Sequence, residues 1–214
     1  MTKQLGFFID ASRCTGCRTC QVACKDKNNL EVGRNFRHVL DYEGGHWRQD
    51  RLTGAWHTDT FAYYLSISCN ECSDPACVKV CPTKAHAKRA SDGLVLIDPA
   101  KCIGCGMCAK ACPYGAPQLD PQTHKMTKCN ACADRLEKGL DPTCVASCPQ
   151  RAIEFGDVAE LAKKHPGCRQ VAPLPSPSKT HPNLLVKAPK NAKPVGSTDG
   201  VTFVRKSPIA RHQA

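Results

Sequence analysis

The sequence predicts an irregular α+β fold that groups of cysteines, more than an apolar core, hold together. Three observations support this prediction. Sixteen of the 17 cysteines fall into four close groups, and only Cys168 lies outside them. Segments around the groups repeat one another, and aromatic residues make up only 6% of the chain. The four groups are Cys14, Cys17, Cys20 and Cys24; Cys69, Cys72, Cys77 and Cys81; Cys102, Cys105, Cys108 and Cys112; and Cys129, Cys132, Cys144 and Cys148.

The third group, residues 102–113, reads C-x2-C-x2-C-x3-C-P, the run that bacterial ferredoxins use to bind iron–sulfur cubanes. Its first three cysteines lie on a tight loop, where Gly104 lets the backbone fold closely around the sulfides. In two-cluster ferredoxins the fourth cysteine of such a run ligates the other cluster. The motif therefore predicts [4Fe-4S] clusters in pairs.

The pairing follows from the order of the groups in the sequence. The second and third groups are adjacent and are expected to form one ferredoxin-like unit, while the first and fourth close another. With the crossed rule this predicts four [4Fe-4S] clusters. Their ligands are Cys14, Cys17, Cys20 and Cys148; Cys129, Cys132, Cys144 and Cys24; Cys69, Cys72, Cys77 and Cys112; and Cys102, Cys105, Cys108 and Cys81.

Two other uses of the cysteines are less compatible with their spacing. The total is odd and C-x2-C pairs suit metal sites better than disulfides. Structural zinc uses two separated pairs, not a C-x2-C-x2-C triplet with a trailing Cys-Pro. The fourth group alone resembles a zinc ribbon, but its context with the other three groups favours iron–sulfur clusters.

An internal repeat indicates the architecture of each unit. Residues 9–17 parallel residues 97–105, and residues 77–85 parallel residues 144–152. Each half is predicted to be a strand, a cluster loop, a short helix opening at Cys-x3-Cys-Pro and a returning strand. Proline follows the last cysteine of the second, third and fourth groups, where it would lie just inside the helix start.

The predicted organisation is two intertwined bacterial-ferredoxin-like units, each with two [4Fe-4S] clusters, a β-rich insertion and an extended C-terminal arm. Residues 1–30 and 126–160 form the first unit, and residues 69–125 form the second. Residues 31–68 are the insertion, and residues 161–214 contain the end of a C-terminal helix and the arm.

Strands at residues 36–42 and 61–67 are predicted in the insertion, where Trp47 and Trp56 are expected to pack. The returning strands of the repeat are placed at residues 93–98 and 152–155. Four histidines show no ligand spacing and are interpreted as surface or hydrogen-bonded residues. They are His38, His46, His57 and His86.

Residues 157–165 have helix chemistry, with Asp157 at the start and cations at the end. From Val171 onward the chain is rich in proline, lysine and serine, and is too polar to form its own core. Disorder is one interpretation. The favoured one is an extended arm on a partner subunit, anchored by residues 184–186.

The formal net charge of +11 would by itself suggest a nucleic-acid partner. Sixteen ligating thiolates and four oxidised cubane cores of about +2 each add about −8 in total, which leaves the loaded protein near +3. Bulk charge therefore gives no support for nucleic-acid binding.

No run of 18 apolar residues exists, so no transmembrane segment is predicted. Residues 1–10 lack an apolar stretch long enough for a signal peptide, and we expect synthesis as a soluble cytoplasmic polypeptide. All-cysteine ligation leaves no open iron for a substrate, and no G-x-G-x-x-G fingerprint is present. The chain is thus predicted to carry electrons and not to be an enzyme by itself.

The sequence resembles the four-cluster electron-transfer subunits of molybdopterin oxidoreductases, and most closely the iron–sulfur subunit of dimethyl sulfoxide reductase. All sixteen ligand positions match, and the likeness runs over nearly the whole chain. The other segments that show the likeness are residues 6–10 with 13–17, 61–70, 111–118, 125–129 and 171–175.

The resemblance implies a molybdopterin catalytic subunit and a membrane anchor that oxidises quinol as partners. It also implies export with the catalytic subunit, whose twin-arginine signal serves both, to a peripheral position on the periplasmic side of the cytoplasmic membrane. Three alternatives stay open: a soluble polyferredoxin carrier, a zinc-rich interaction module, and a related tetrathionate, thiosulfate, selenate or nitrite system.

Overall fold

The computed structural model describes residues 3–203. The start of the first predicted unit, residues 1–2, and the end of the arm, residues 204–214, lie outside the described residues. The strands are β1 (Leu5–Asp10), β2 (His38–Gly44), β3 (Trp47–Gln49), β4 (Trp56–Thr58), β5 (Phe61–Ile67), β6 (His86–Lys88), β7 (Val95–Ile97), β8 (Gln118–Leu119), β9 (Met126–Thr127), β10 (Ile153–Asp157), β11 (Leu184–Lys187) and β12 (Gly200–Phe203). The helices are α1 (Thr19–Lys27), α2 (Ala76–Lys79), α3 (Met107–Ala111), α4 (Ala133–Leu136), α5 (Thr143–Ala146) and α6 (Val158–Lys164), with a 3-10 turn at Pro177–Lys179.

Strand β1 is the centre of a three-stranded sheet of order β10-β1-β11. It pairs antiparallel with β10 and parallel with β11, and all six of its residues are buried. Burial on both faces explains why this strand reads Leu-Gly-Phe-Phe-Ile-Asp without polar alternation. The sheet brings the segment before the first cysteine group next to the segment after the fourth.

A second sheet, of order β12-β2-β5, is built on an antiparallel β2–β5 pair. Strands β2 to β5 all lie within residues 31–68, and the two strands predicted there are confirmed. The main apolar core lies where this sheet meets β1 and the C-terminal segment. Its fully buried members include Phe7, Ile9, Leu65, Val171 and Val186.

Leu65 offers a test of this core. Its side chain is 0% exposed and belongs to the cluster between the sheets. We expect Leu65→Ala to lower the free energy of unfolding by about 2–5 kcal/mol, because the truncation leaves a cavity. Denaturant unfolding of the iron-loaded protein, followed by circular dichroism, measures the change. The matched control is Leu52→Ala, at a residue 98% exposed, where a change within about 0.5 kcal/mol is expected.

The expectation that Trp47 and Trp56 pack within the insertion is wrong. They lie on the isolated two-stranded hairpin β3–β4, and their side chains are 63% and 62% exposed. Trp56 stands opposite Gln49, two residues from Trp47, so both indoles lie on one face of the ribbon. Neither ring is covered by a second layer formed by residues 3–203.

The C-terminal arm also differs from its prediction. Residues 184–186 do form an anchor, but they anchor the arm to this protein's own β1, as strand β11. Val171, Leu174 and Leu184 join the main core, and β12 extends the second sheet beside β2. Strand pairing satisfies backbone groups whatever the side chains are, and this polar segment uses that route to an ordered position.

The short helices end before the Cys-Pro prolines, whereas the repeat predicted helices that begin at these prolines. Helix α2 ends at Lys79, α3 at Ala111 and α5 at Ala146, each before the last cysteine of its group. Proline has no N–H to continue a helix, so it stands in the turn beyond the helix end. The predicted helix at 157–165 is confirmed as α6, and the Asp157 side chain accepts bonds from Ala159 N and Glu160 N.

The second and third cysteine groups lie beside small hairpins. Strand β6 pairs with β7, and β8 pairs with β9, both antiparallel. The predicted strand at 93–98 corresponds to β7, and that at 152–155 to β10. Within residues 3–203, none of the helices has the length and apolar character that a membrane crossing requires.

Candidate iron–sulfur sites

None of the 17 cysteines is bridged to another. Most of them are buried, and among the grouped cysteines only Cys17 and Cys105 are exposed. Each triplet of closely spaced cysteines follows a strand, and the distant member of each predicted set arrives from a helix of another group.

The first set joins the two ends of the cysteine-bearing region. Strand β1 leads into the loop of Cys14 and Cys17, helix α1 carries Cys20, and Cys148 follows α5; the four line one cavity. Burial raises the pKa of the Cys14 thiol to about 11. The same pKa is also raised by the charges of Cys20, Cys148 and Cys17. The Ala152 amide donates to Cys148 Sγ at 3.3 Å.

The second set lies at the other end of α1, which packs against α5. Burial raises the pKa of the Cys24 thiol to about 12. The charges of Cys129, Cys144 and Cys132 act in the same direction, so the three cysteines of the fourth group face the last cysteine of the first. The Ala131 amide donates to Cys129 Sγ at 3.4 Å.

The third set begins after β5 with Cys69 and Cys72. Helix α2 carries Cys77 and packs against α3, which leads to Cys112. Burial raises the pKa of the Cys77 thiol to about 12, and the charges of Cys112 and Cys72 also raise it. Cys69 is buried, and burial holds its pKa well above the ordinary value. The charge of Cys108, from the fourth set, also raises the pKa of Cys77, so the third and fourth sets are neighbours.

The fourth set follows β7. Burial raises the pKa of the Cys108 thiol to about 11, with smaller contributions in that direction from Cys102 and Cys105. Cys81, which follows α2, packs against the buried cluster that contains Cys102 and Cys108. The Met126 amide donates to Cys102 Sγ at 3.3 Å. Cys148, Cys24, Cys112 and Cys81 thus each lie near cysteines of another group.

The donor chemistry fits cubanes. Every proposed ligand is a cysteine sulfur, and backbone amides donate to three of these sulfurs. A cubane carries sulfur of its own, and amide donors to ligand sulfur are a recognised means of tuning it.

Gly104 provides a test of the cluster loop. Its φ is +72°, and a Cβ there would overlap the His124 carbonyl oxygen. We expect Gly104→Ala to destabilise the iron-loaded protein by more than the about 1–2 kcal/mol that the left-handed backbone alone costs. Gly106→Ala is the matched control, since its φ is +74° with open space around it. The thermal midpoint for loss of visible absorbance measures both, and equal shifts would contradict the overlap.

Several buried polar residues at these sites were not predicted from the sequence. Arg37 is 1% exposed, Lys128 is 6% exposed and Glu71 is 0% exposed. Burial alone would lower the pKa of Lys128, but the charges of Cys69, Glu71 and Cys129 raise it above its ordinary value. The only sequence signal was a charged residue inside an apolar segment or directly before a ligand.

The interpretation of the four histidines is corrected at one position. His46 and His57 are exposed, and a ring nitrogen of His38 lies 3.3 Å from the Gln118 amide. His86 is instead 3% exposed, and neither ring nitrogen has a partner among residues 3–203. Burial, together with the Lys128 charge, lowers the pKa of His86 to about 4. The ring is therefore neutral and enclosed beside a buried cation.

Together the cysteine sets and the fold define a ferredoxin-type iron–sulfur protein with [4Fe-4S] clusters. Comparison with family models agrees, since residues 60–158 match a 4Fe-4S dicluster domain and residues 5–26 match a 4Fe-4S binding domain. The first match spans the second, third and fourth cysteine groups, and the second spans the first group.

Curated relatives identify the family within that class. The sequence is 54% identical to the iron–sulfur subunit of anaerobic dimethyl sulfoxide reductase from Escherichia coli, over 94% of this sequence and 96% of that protein. The counterpart from Haemophilus influenzae is 50% identical over 92% and 96%. A subunit of sulfite dehydrogenase from Allochromatium vinosum is 39% identical over 72% and 69%. The protein belongs to the family of dimethyl sulfoxide reductase iron–sulfur subunits.

Proposed function

We propose that the protein is the electron-transfer subunit of a dimethyl sulfoxide reductase-type complex and relays electrons through four [4Fe-4S] clusters. The observation that carries the proposal is the meeting of each cysteine triplet with one cysteine from another group. The ligand sets are Cys14, Cys17, Cys20 and Cys148; Cys24, Cys129, Cys132 and Cys144; Cys69, Cys72, Cys77 and Cys112; and Cys81, Cys102, Cys105 and Cys108.

The proposal divides the clusters between two interlocked units. The β1–β10 pairing and the α1–α5 contact support one unit from residues 1–30 and 126–160. The α2–α3 contact and the β6–β7 hairpin support the other, from residues 69–125. Residues 31–68 are then an insertion between them, and residues 161–214 form a C-terminal extension.

The same contacts favour a linear order of the clusters. The first and second sets share α1, which carries Cys20 and Cys24. The charge of Cys129, in the second set, acts on Cys69 in the third. Cys108, in the fourth set, acts on Cys77 in the third. The electron path would thus run through sets one, two, three and four in either direction, with exposed Cys17 near one end and exposed Cys105 near the other.

Membership of this family supports a choice of partners. We propose that a membrane anchor oxidises quinol at one end of the relay and that a molybdopterin subunit consumes the electrons at the other. By itself the protein would not be an enzyme, because four cysteine ligands leave no iron open to a substrate. The complex would lie peripherally at the cytoplasmic membrane, on the periplasmic side after export with the catalytic subunit.

The terminal acceptor is assigned from the near-full-length matches to iron–sulfur subunits of dimethyl sulfoxide reductase. The iron–sulfur subunit of formate dehydrogenase-O from Escherichia coli is 34% identical over 72% of this sequence and 53% of that protein, and its name indicates a different substrate. Similar iron–sulfur subunits therefore occur in proteins named for different chemistry, and substrate choice is assigned to the catalytic partner.

The test is purification of the tagged protein from membranes of anaerobically grown cells. We expect a molybdopterin subunit and an integral membrane subunit to co-purify, with iron and acid-labile sulfide for four cubanes and dimethyl sulfoxide reduction driven by quinol. A loaded, stable monomer without partners would instead indicate a soluble polyferredoxin carrier. A colourless protein containing zinc and no acid-labile sulfide would overturn the proposal.

A further inference from the structure

Arg37 is a fully buried cation held by neutral groups. It immediately precedes β2, and its side chain is 1% exposed. The guanidinium donates to the Ser66 carbonyl at 3.0 Å, to Ser66 Oγ at 3.1 Å and to Ser68 Oγ at 2.9 Å. Its central carbon lies 4.5 Å from the Phe7 ring centroid. Packing and hydrogen bonds therefore fix the charge in one position inside the protein.

No carboxylate among the described residues balances this charge. None of the ion pairs between residues 3 and 203 includes Arg37. A buried charge without compensation is costly, so its counter-charge must come from elsewhere. The largest negative contributions at Arg37 come from cysteine sulfurs, and Ser66 Oγ also lies 3.2 Å from Cys20 Sγ. They are Cys144, Cys20, Cys129 and Cys24.

We propose that Arg37 is an internal counter-cation shared by the first two clusters and that it raises the reduction potentials of both. The inference rests on the proposed ligand sets, since Cys20 belongs to the first set and the other three sulfurs belong to the second. Reduction adds one electron to a cluster, and a fixed positive charge nearby stabilises the reduced form more than the oxidised form. Because this charge is desolvated, solvent and salt screen it little.

Arg34 shows what a neutralised buried arginine looks like in the same protein. It is 9% exposed and its guanidinium carbon lies 5.9 Å from the Phe36 ring centroid. Unlike Arg37, it pairs with Glu31 at 3.1 Å and Asp120 at 3.2 Å. The pairs cancel its charge locally. Arg34→Met therefore serves as a matched control for loss of a buried arginine without loss of a net field at the clusters.

The experiment is an anaerobic potentiometric titration of the purified complex, followed by electron paramagnetic resonance, for wild type, Arg37→Met, Arg37→Lys and Arg34→Met. We expect Arg37→Met to weaken the reduction equilibrium of two of the four clusters at least about tenfold, a downward shift of about 59 mV. The equilibrium constant for reduction of the other two clusters is expected to change less than about threefold. In Arg37→Lys and Arg34→Met the same limit is expected for all four clusters.

Each outcome bears on the proposal. If Arg37→Met retains full iron and sulfide with four unchanged potentials, the role of Arg37 is overturned while the electron relay stands. A uniform shift of all four clusters would also overturn it. If Arg37→Met does not load its clusters, normal loading of Arg37→Lys supports the shared counter-charge, and equal failure of both overturns it. If the wild-type protein itself lacks four titrating clusters, the ligand sets are wrong and this inference fails with them.

Discussion

Removal of the iron is expected to abolish the cooperative unfolding transition of the protein. Two of the groups of buried side chains that pack together have six members each, and in both groups three of the six are cysteines. They are Cys24, Cys69 and Cys129 in one group, and Cys77, Cys102 and Cys108 in the other. Without the iron–sulfur clusters, these regions have little apolar surface to bury. Metal–thiolate binding supplies on the order of 10 kcal/mol per site in small domains, comparable with the whole stability of about 5–15 kcal/mol of a typical domain.

Charge adds to this effect. Burial keeps thiols such as Cys24 protonated, with a pKa of about 12, once iron is absent. Arg37 would then remain buried without the cysteine charge that acts on it in the loaded protein, and Lys128 would lose that of Cys69 and Cys129 and keep that of Glu71. An unpaired buried cation destabilises a fold strongly, so the apoprotein is expected to open around Arg37.

The measurement is near- and far-ultraviolet circular dichroism during thermal unfolding, before and after anaerobic chelation in the presence of a reductant. We expect the loaded protein to melt cooperatively and the apoprotein to show no sharp transition and little near-ultraviolet signal. Cys168→Ser serves as the control, because Cys168 lies outside all four groups and its thiol contacts the His165 carbonyl oxygen at 3.1 Å. A sharp melt of the chelated protein would contradict the dependence on iron.

Substitution of single ligands is expected to remove clusters in a crossed pattern. Cys24→Ser and Cys129→Ser, at positions in different groups, are expected to lose the same cluster, because both sulfurs belong to one proposed set. Cys20→Ser, only four positions before Cys24, is expected to lose a different one. Each variant would lose up to about a quarter of the iron and acid-labile sulfide. Quinol-driven reduction would stop in all three, since a relay conducts only when every centre is present.

The readouts are iron and sulfide content, the paramagnetic spectrum after dithionite treatment, and quinol-driven activity of the purified complex. Cys168→Ser again serves as the control and is expected to match wild type in all three. If Cys24→Ser and Cys20→Ser abolish the same spectral component, the ligands do not cross between groups, and both the proposed sets and the proposed order of clusters are wrong.

Local patterns accounted for the parts of the fold whose cause is local. The Cys-x2-Cys spacing predicted the cluster loops, the positive φ of Gly104 follows from a required close approach, and Asp157 caps α6 as its position indicated. The strand at residues 61–67 was predicted from the pattern of its own apolar residues. Such features need only neighbours in sequence.

The errors share a different cause. Trp47 and Trp56 were expected to be covered, but coverage depends on whether another layer of the fold reaches them. Residues 184–186 were expected to dock on a partner, but the free edge of β1 accepted them as a strand. His86 reads like a surface residue until β6 turns it inward beside Lys128. In each case a distant segment decided the environment of the residue.

The amino-acid sequence alone determined which sulfurs are available, how they are grouped, and that the groups suit cubanes, because thiolate spacing on a tight loop is a local property. Only the tertiary structure decided where the positive charges are buried. Arg37 lies far in sequence from Cys129 and Cys144, and Lys128 from Cys69, so nothing in their sequence neighbourhoods indicates that they meet. Their positions depend on two sheets and several short helices closing together, and burial there gives a single charge a strong effect on the clusters.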